Sequence, residues 1–197
     1  MSAIPVMFLM DKIVNHKKSL LIHVCCAPCL SGLSDYLKSL GFSRIKGYFY
    51  NPNIHPFKEF KRRRHEVRVH EKHFGFDEFE YSYDYPLKEI LKGMISSENR
   101  CEFCFRTRLE IAAVKARDEC FTHFTTTLLI SPYQDQELLR TVGNEIAKKY
   151  KIKFLDEDMR RFYDLSRDIA AEREMYQQGY CGCIFSEHER YGSKEKG

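Results

Sequence analysis

The chain has 197 residues, 43% of them hydrophobic, and a net charge of +4, enough for one domain spanning residues 1–197 to bury a core without disulfide staples. It shows no apolar stretch long enough to cross a bilayer and no charged start leading into an apolar run and cleavage site, which predicts a cytoplasmic protein with no membrane partner. Its eight cysteines, in such a reducing compartment, point to metal binding or redox catalysis rather than static bridges.

Residues 19–25 are a short apolar run that breaks at Ala27-Pro28, and residues 29–40 read as a helix ending at Gly41. Residues 45–50 give a second strand, stopped by Asn51-Pro-Asn53, and Pro56 opens a long charged helix to about Gly75. A third strand is expected within 76–83, then helices over 86–96 and 102–120. Residues 121–129 are rich in β-branched and aromatic side chains and read as a strand ended by Ser131-Pro132. A helix over 134–150, a short strand at 152–155 and a last helix over 164–178, stopped by Gly179, complete the pattern. Strands alternating with helices imply a parallel sheet covered on both faces, an α/β three-layer sandwich with right-handed crossovers. Ligands of such sheets gather at the carboxyl ends of the strands, where the first cysteines fall.

Seven cysteines form three tight groups: His23-Val-Cys25-Cys26-Ala-Pro-Cys29, Cys101-Glu-Phe-Cys104 and Cys181-Gly-Cys183. Two CxxC units suit either a four-cysteine zinc site or an iron-sulfur cluster. Cys25, an extra sulfur at the head of the loop, exceeds what a four-thiolate zinc site uses. Arg100, Arg106 and Arg108 beside the second pair favour ionised thiolates. Cys181 and Cys183 can close only a small ring, made sterically possible by Gly182, which describes a redox couple; the alternative is two further ligands to the same metal. Cys120 reads as a buried apolar residue. His23 on its apolar strand reads as a hydrogen-bonded core imidazole, and His55 as a substrate or proton-transfer residue in a loop at a strand end. Tyr133 and Gln134 are placed to stack on or hydrogen-bond a base. The basic run containing Lys61, Arg62, Arg63 and Arg64 suits either a phosphate backbone or a solvated helix face. No Gly-rich phosphate loop and no Gly-x-Ser-x-Gly elbow is present, which argues against an ordinary nucleotide-dependent ligase and a serine hydrolase.

Together, His23-Val-Cys-Cys-Ala-Pro-Cys29, Tyr50-Asn-Pro-Asn-Ile-His-Pro56, Arg100-Cys-Glu-Phe-Cys-Phe-Arg106, Thr125-Thr-Thr-Leu-Leu-Ile-Ser-Pro-Tyr-Gln134 and Tyr180-Cys-Gly-Cys183 resemble the cobalamin-independent epoxyqueuosine reductases. The match runs in order over nearly the whole chain. The resemblance implies a fold related to the adenine-nucleotide α-hydrolase group and a 4Fe-4S enzyme that reduces the epoxide of epoxyqueuosine in tRNA to the alkene. It also implies Cys25, Cys26, Cys101 and Cys104 as cluster ligands and Cys181 and Cys183 as the redox-active catalytic pair. Spacing alone would pair Cys26 with Cys29, so the fourth ligand is contested between Cys25 and Cys29; the sulfur left over is free for a second iron or other metal ion. The reaction takes up two electrons and two protons, so an external electron donor is required. Rival readings are a cluster-dependent tRNA sulfur transferase on the same fold, a zinc-stabilised RNA-binding module, and a thiol-disulfide oxidoreductase using Cys181 and Cys183 alone.

Overall fold

The computed structural model describes residues 17–192. Expectations resting on the first sixteen and last five residues, the missing leader and the outer limits of the domain, lie outside the described residues. The elements in chain order are β1 (Ser19–His23), α1 (Ala27–Ser31), α2 (Ser34–Ser39), β2 (Arg44–Phe49), α3 (Phe57–Phe74), β3 (Glu78–Tyr81), α4 (Leu87–Ser96), α5 (Arg100–Asp118), β4 (His123–Thr126), α6 (Gln136–Tyr150), β5 (Lys153–Phe154), α7 (Tyr163–Glu172) and α8 (Ile184–Tyr191).

The five strands form one sheet in the order β3-β2-β1-β4-β5, parallel at every pairing. β1 is central and buried at all five positions, so its sequence is apolar throughout instead of alternating. Full burial of Leu20, Leu21 and Ile22 contributes about 1.5–3 kcal/mol each before chain entropy is counted. From β1 the chain steps to β2 and β3 on one side, then returns to β4 and β5 on the other. Right-handed crossovers therefore place α1, α2 and α3 on one face and α5 and α6 on the opposite face. α7 joins the first layer by packing on α1, while α5 packs on β1 and β4 and against α6. The α/β architecture read from the sequence is the one observed. The reversal of direction between β1 and β4 opens a crevice at their carboxyl ends.

Several expected elements differ in detail. The helix expected over 29–40 is two short helices, broken around Gly32, where a Cβ would lie 2.8 Å from both the Phe162 carbonyl oxygen and the Ser166 Cβ; α7 presses too closely there for a continuous helix carrying side chains. The strand expected over 121–129 leaves the sheet after Thr126, whose hydroxyl accepts the Leu128 N–H at 3.1 Å and turns residues 127–130 into a 3-10 helix. The last expected helix stops at Glu172, and a loop then carries Cys181 and Cys183 into the unforeseen α8. Cys120 is exposed, not buried. It follows the last turn of α5 with φ of 60°, and this left-handed terminating position aims its side chain away from the core.

Candidate metal and redox centre

The crevice is organised first by a contact between the two strands that diverge. The Cys25 N–H donates to the Thr127 hydroxyl at 2.9 Å, and that hydroxyl donates to the Cys25 sulfur at 3.1 Å. Cys26 caps α1, its sulfur accepting the Cys29 N–H at 3.2 Å, and the Cys26 and Cys29 sulfurs are joined. Cys25, Cys26 and Cys29 thus bring three sulfurs within 4.8 Å of one another, a soft donor set able to hold a metal once the bond between Cys26 and Cys29 is reduced to two thiols.

Cys101 and Cys104 occupy the first turns of α5, which Asn99 caps by accepting the Cys101 and Glu102 N–H groups at 3.0 and 3.1 Å. Cys104 is buried and packs with Cys183, Ile90 and Met94, which brings the second and third cysteine groups together. Burial pushes the Cys25 and Cys101 thiols up and the Cys104 thiol up to about 11, opposed in each case by the charge of Arg108. Binding a metal here therefore displaces protons from desolvated thiols.

Cys181 and Cys183 hold their sulfurs 3.7 Å apart. Gly182 between them has φ of +123°, and a Cβ on it would lie 2.9 Å from Ile54, so glycine is required both by the backbone and by the close approach. The Cys183 sulfur accepts the Ser186 N–H at 3.3 Å at the start of α8. The hydrogen bond between the two sulfurs holds the Cys181 thiol below its usual range and pushes Cys183 up. One thiolate and one thiol, side by side, is the state from which a dithiol exchanges or transfers electrons.

The loop carrying this pair is tied down by α3. Arg63 is 2% exposed; its guanidinium donates to the Cys181 and Tyr180 carbonyls at 3.0 and 3.2 Å and to Glu59 at 2.6 Å. The Tyr176 hydroxyl donates to the other Glu59 oxygen at 2.9 Å. The reading of Arg63 as a phosphate contact is corrected: the side chain is turned into the protein, one helical turn from its carboxylate partner. Composition cannot reveal this, although the Glu59-Arg63 spacing of four residues was a legible signal. Tyr176 had no signal of its own in the sequence.

Cys25, Cys29, Cys101, Cys181 and Cys183 all face one cavity of about 980 Å³, with Cys26 and Cys104 buried outside its wall. Arg63, Arg100, Arg108, Arg167 and Arg190 also line it, and Tyr133, Gln134, Gln177 and Gln178 add polar and aromatic edges. Tyr133 is 77% exposed and meets Tyr163 edge-on at 5.9 Å. His23 is the core imidazole expected of it: its Nδ1 lies 2.8 Å from the Thr126 hydroxyl and its Nε2 donates to the Tyr50 carbonyl at 3.0 Å. Burial lowers its pKa to about 3. The His55 ring has no hydrogen-bond partner among the described residues and is not on the cavity wall; it is the backbone N–H of His55 that meets the site, donating to the Gly182 carbonyl at 2.7 Å.

The family profile described as epoxyqueuosine reductase QueH matches residues 20–189. The epoxyqueuosine reductase QueH of Dehalococcoides mccartyi is 36% identical over 174 residues, covering 88% of this chain and 94% of that protein. The enzyme of the same name from Thermotoga maritima is 35% identical over 181 residues, covering 87% and 92%. Among solved structures, an N,N'-diacetylchitobiose deacetylase from Pyrococcus horikoshii is similar with a TM-score of 0.40 and 14% identity, over 78% of this chain and 55% of that one. With five cysteines lining one cavity, two more buried behind its wall, and a family match running from β1 into α8, the chain belongs to the epoxyqueuosine reductase QueH family.

Proposed function

We propose that this chain is an iron-sulfur reductase acting as one catalytic α/β domain, which converts epoxyqueuosine in tRNA to queuosine by removing the epoxide oxygen as water. The observation that supports it most is the convergence of three cysteine groups on one cavity at the point where the sheet reverses direction. Cys25, Cys26, Cys101 and Cys104 are the cluster ligands in this reading. A 4Fe-4S cluster, when bound, supplies single electrons at low potential. Cys181 and Cys183 act as the catalytic dithiol. Closing their disulfide releases two electrons and two protons, the amount that turns an epoxide into an alkene and water. Arg63 and the His55 backbone hold that pair at the cavity edge. Cys29 is left to contact substrate or a second metal ion, and a cellular reductant outside this chain resets the enzyme.

Access of tRNA is assigned to the outer face of α3. Lys58, Lys61, Arg62, His65, Arg68 and Lys72 are exposed there, without a carboxylate partner among the described residues. Tyr133, at the cavity, gives a flipped-out base an aromatic face on which to stack.

Anaerobic purification followed by iron, sulfide and visible-absorption analysis tests the cofactor, and mass analysis of tRNA nucleosides tests the reaction. Loss of one oxygen from epoxyqueuosine is the expected product. A colourless protein holding zinc and no sulfide would sink the reading in favour of an RNA-binding module, and gain of sulfur by the tRNA would favour a sulfur transferase.

A further inference from the structure

Arg108 lies on α5 one turn beyond Cys104, a spacing that puts both side chains on one helix face. It is 3% exposed. Its Nε donates to the Cys104 carbonyl at 3.2 Å and a terminal nitrogen donates to the Cys104 sulfur at 3.1 Å. No carboxylate pairs with it among the described residues.

Three other arginines near the centre are matched, while Arg167 and Arg190, which also line the cavity, are exposed to solvent. Arg106 binds Glu102 and Glu145, Arg100 binds Glu189, and the equally buried Arg63 binds Glu59. A guanidinium keeps its proton in proteins, so burying one without a counter-ion is strongly unfavourable unless an anion arrives to meet it. The only acceptor atoms it holds among the described residues are the carbonyl and sulfur of Cys104. It also lines the cavity shared by Cys25, Cys101 and Cys181.

We propose that Arg108 is the built-in counter-ion of the sulfur-ligated cluster, a positioning residue that fixes positive charge against the Cys104 ligand and so raises the potential at which the cluster is reduced. The proposal rests on the iron-sulfur reading above. Reduction adds negative charge to a centre already ringed by thiolates, so a fixed cation stabilises the reduced state more than the oxidised one. A hydrogen bond donated to a ligand sulfur acts in the same direction. The carboxylates that match Arg106 and Arg100 leave those two side chains with little net charge to contribute.

The test compares wild-type protein with Arg108→Gln, Arg108→Lys and Arg106→Gln, each reconstituted anaerobically with iron and sulfide and titrated against potential by electron paramagnetic resonance. At the wild-type midpoint, Arg108→Gln is expected to lower the reduced-to-oxidised ratio about tenfold, a shift of about 59 mV for a one-electron couple. Arg108→Lys, which keeps the charge, should recover most of that change, and Arg106→Gln should alter the ratio by less than about twofold given its paired, exposed charge. Failure of Arg108→Gln to retain iron while Arg108→Lys retains it would equally support the counter-ion role. An Arg108→Gln cluster of full iron and sulfide content with an unmoved midpoint would overturn the proposal. So would equal iron loss in the Gln and Lys variants, which assigns packing instead of charge, or an equal shift in Arg106→Gln, which assigns a general effect of net charge. A wild-type protein that takes up no iron or sulfide defeats the cofactor reading itself, and the proposal with it.

Discussion

Cys25 and Cys29 face the same cavity from two ends of one tight turn, so their roles separate only by substitution. Cys101→Ala and Cys104→Ala are expected to abolish the cluster chromophore and activity together, because an iron without its thiolate is open to solvent. Cys25→Ala should do the same while Cys29→Ala keeps its iron; iron and sulfide counts check this, and the opposite outcome would return the fourth ligand to Cys29. Cys181→Ser and Cys183→Ser should keep cluster content and tRNA affinity but lose multiple turnover, as read by single- against multiple-turnover assays with thiol trapping. Iron loss in either variant would place these sulfurs on metal instead. His23 gives a purely structural prediction. His23→Leu leaves the Tyr50 carbonyl without its 3.0 Å donor, and a buried acceptor so stranded costs about 1–3 kcal/mol, visible as a lower denaturant midpoint.

At the scale of elements, α3 serves two surfaces. Its inner side carries Glu59, Phe60, Arg63, Val67 and Phe74, all buried, and Arg63 reaches the redox loop; its outer side carries the unmatched cations. Replacing Lys61, Arg62, Arg68 and Lys72 together by Ala should weaken tRNA binding, flatten its salt dependence by roughly one unit of slope per lost phosphate contact, and leave the cluster spectrum unchanged. Affinity unaltered across a salt series would make this face a solvated helix surface and nothing more. Arg63→Ala is expected to act differently, since it strands the buried Glu59 carboxylate and frees the Tyr180 and Cys181 carbonyls. Breaking such a buried pair costs about 3–5 kcal/mol, so thermal stability falls before any effect on tRNA is seen. One charge run in the sequence therefore divides by helical phase into an exposed basic face and a structural anchor.

Over the whole molecule, the centre draws on β1, α1, α5, the 3-10 turn after β4 and the loop before α8, so a group bound there ties both layers of helices to the sheet. Cluster-loaded protein should melt above iron-stripped protein, each kcal/mol of differential binding moving the midpoint by roughly 2–4 °C at this chain length. Equal midpoints would mean the group is not held across these elements. Among the described residues no helix is long and apolar enough to cross a membrane. Much of this protein was legible in its residues. Apolar runs such as 19–25 announce a buried strand, proline and glycine mark where elements stop, and cysteine groups at the head of a strand and of a helix state their chemistry locally, because periodicity and capping act within one or two turns of chain. The resemblance carried by five ordered motifs likewise needs only the sequence. Other features depend on residues distant along the chain. Which way Arg63 turns is set by a loop 117 and 118 residues away, and where the strand ahead of Cys25 meets Thr127 is set across 102 residues. Cys120 points outward because α5 ends in a left-handed turn, and Arg108 lacks a carboxylate partner because none of its folded neighbours among the described residues supplies one. Such outcomes follow from burial and charge pairing between distant segments, quantities that exist only once the chain is packed, and the tertiary structure alone decided them.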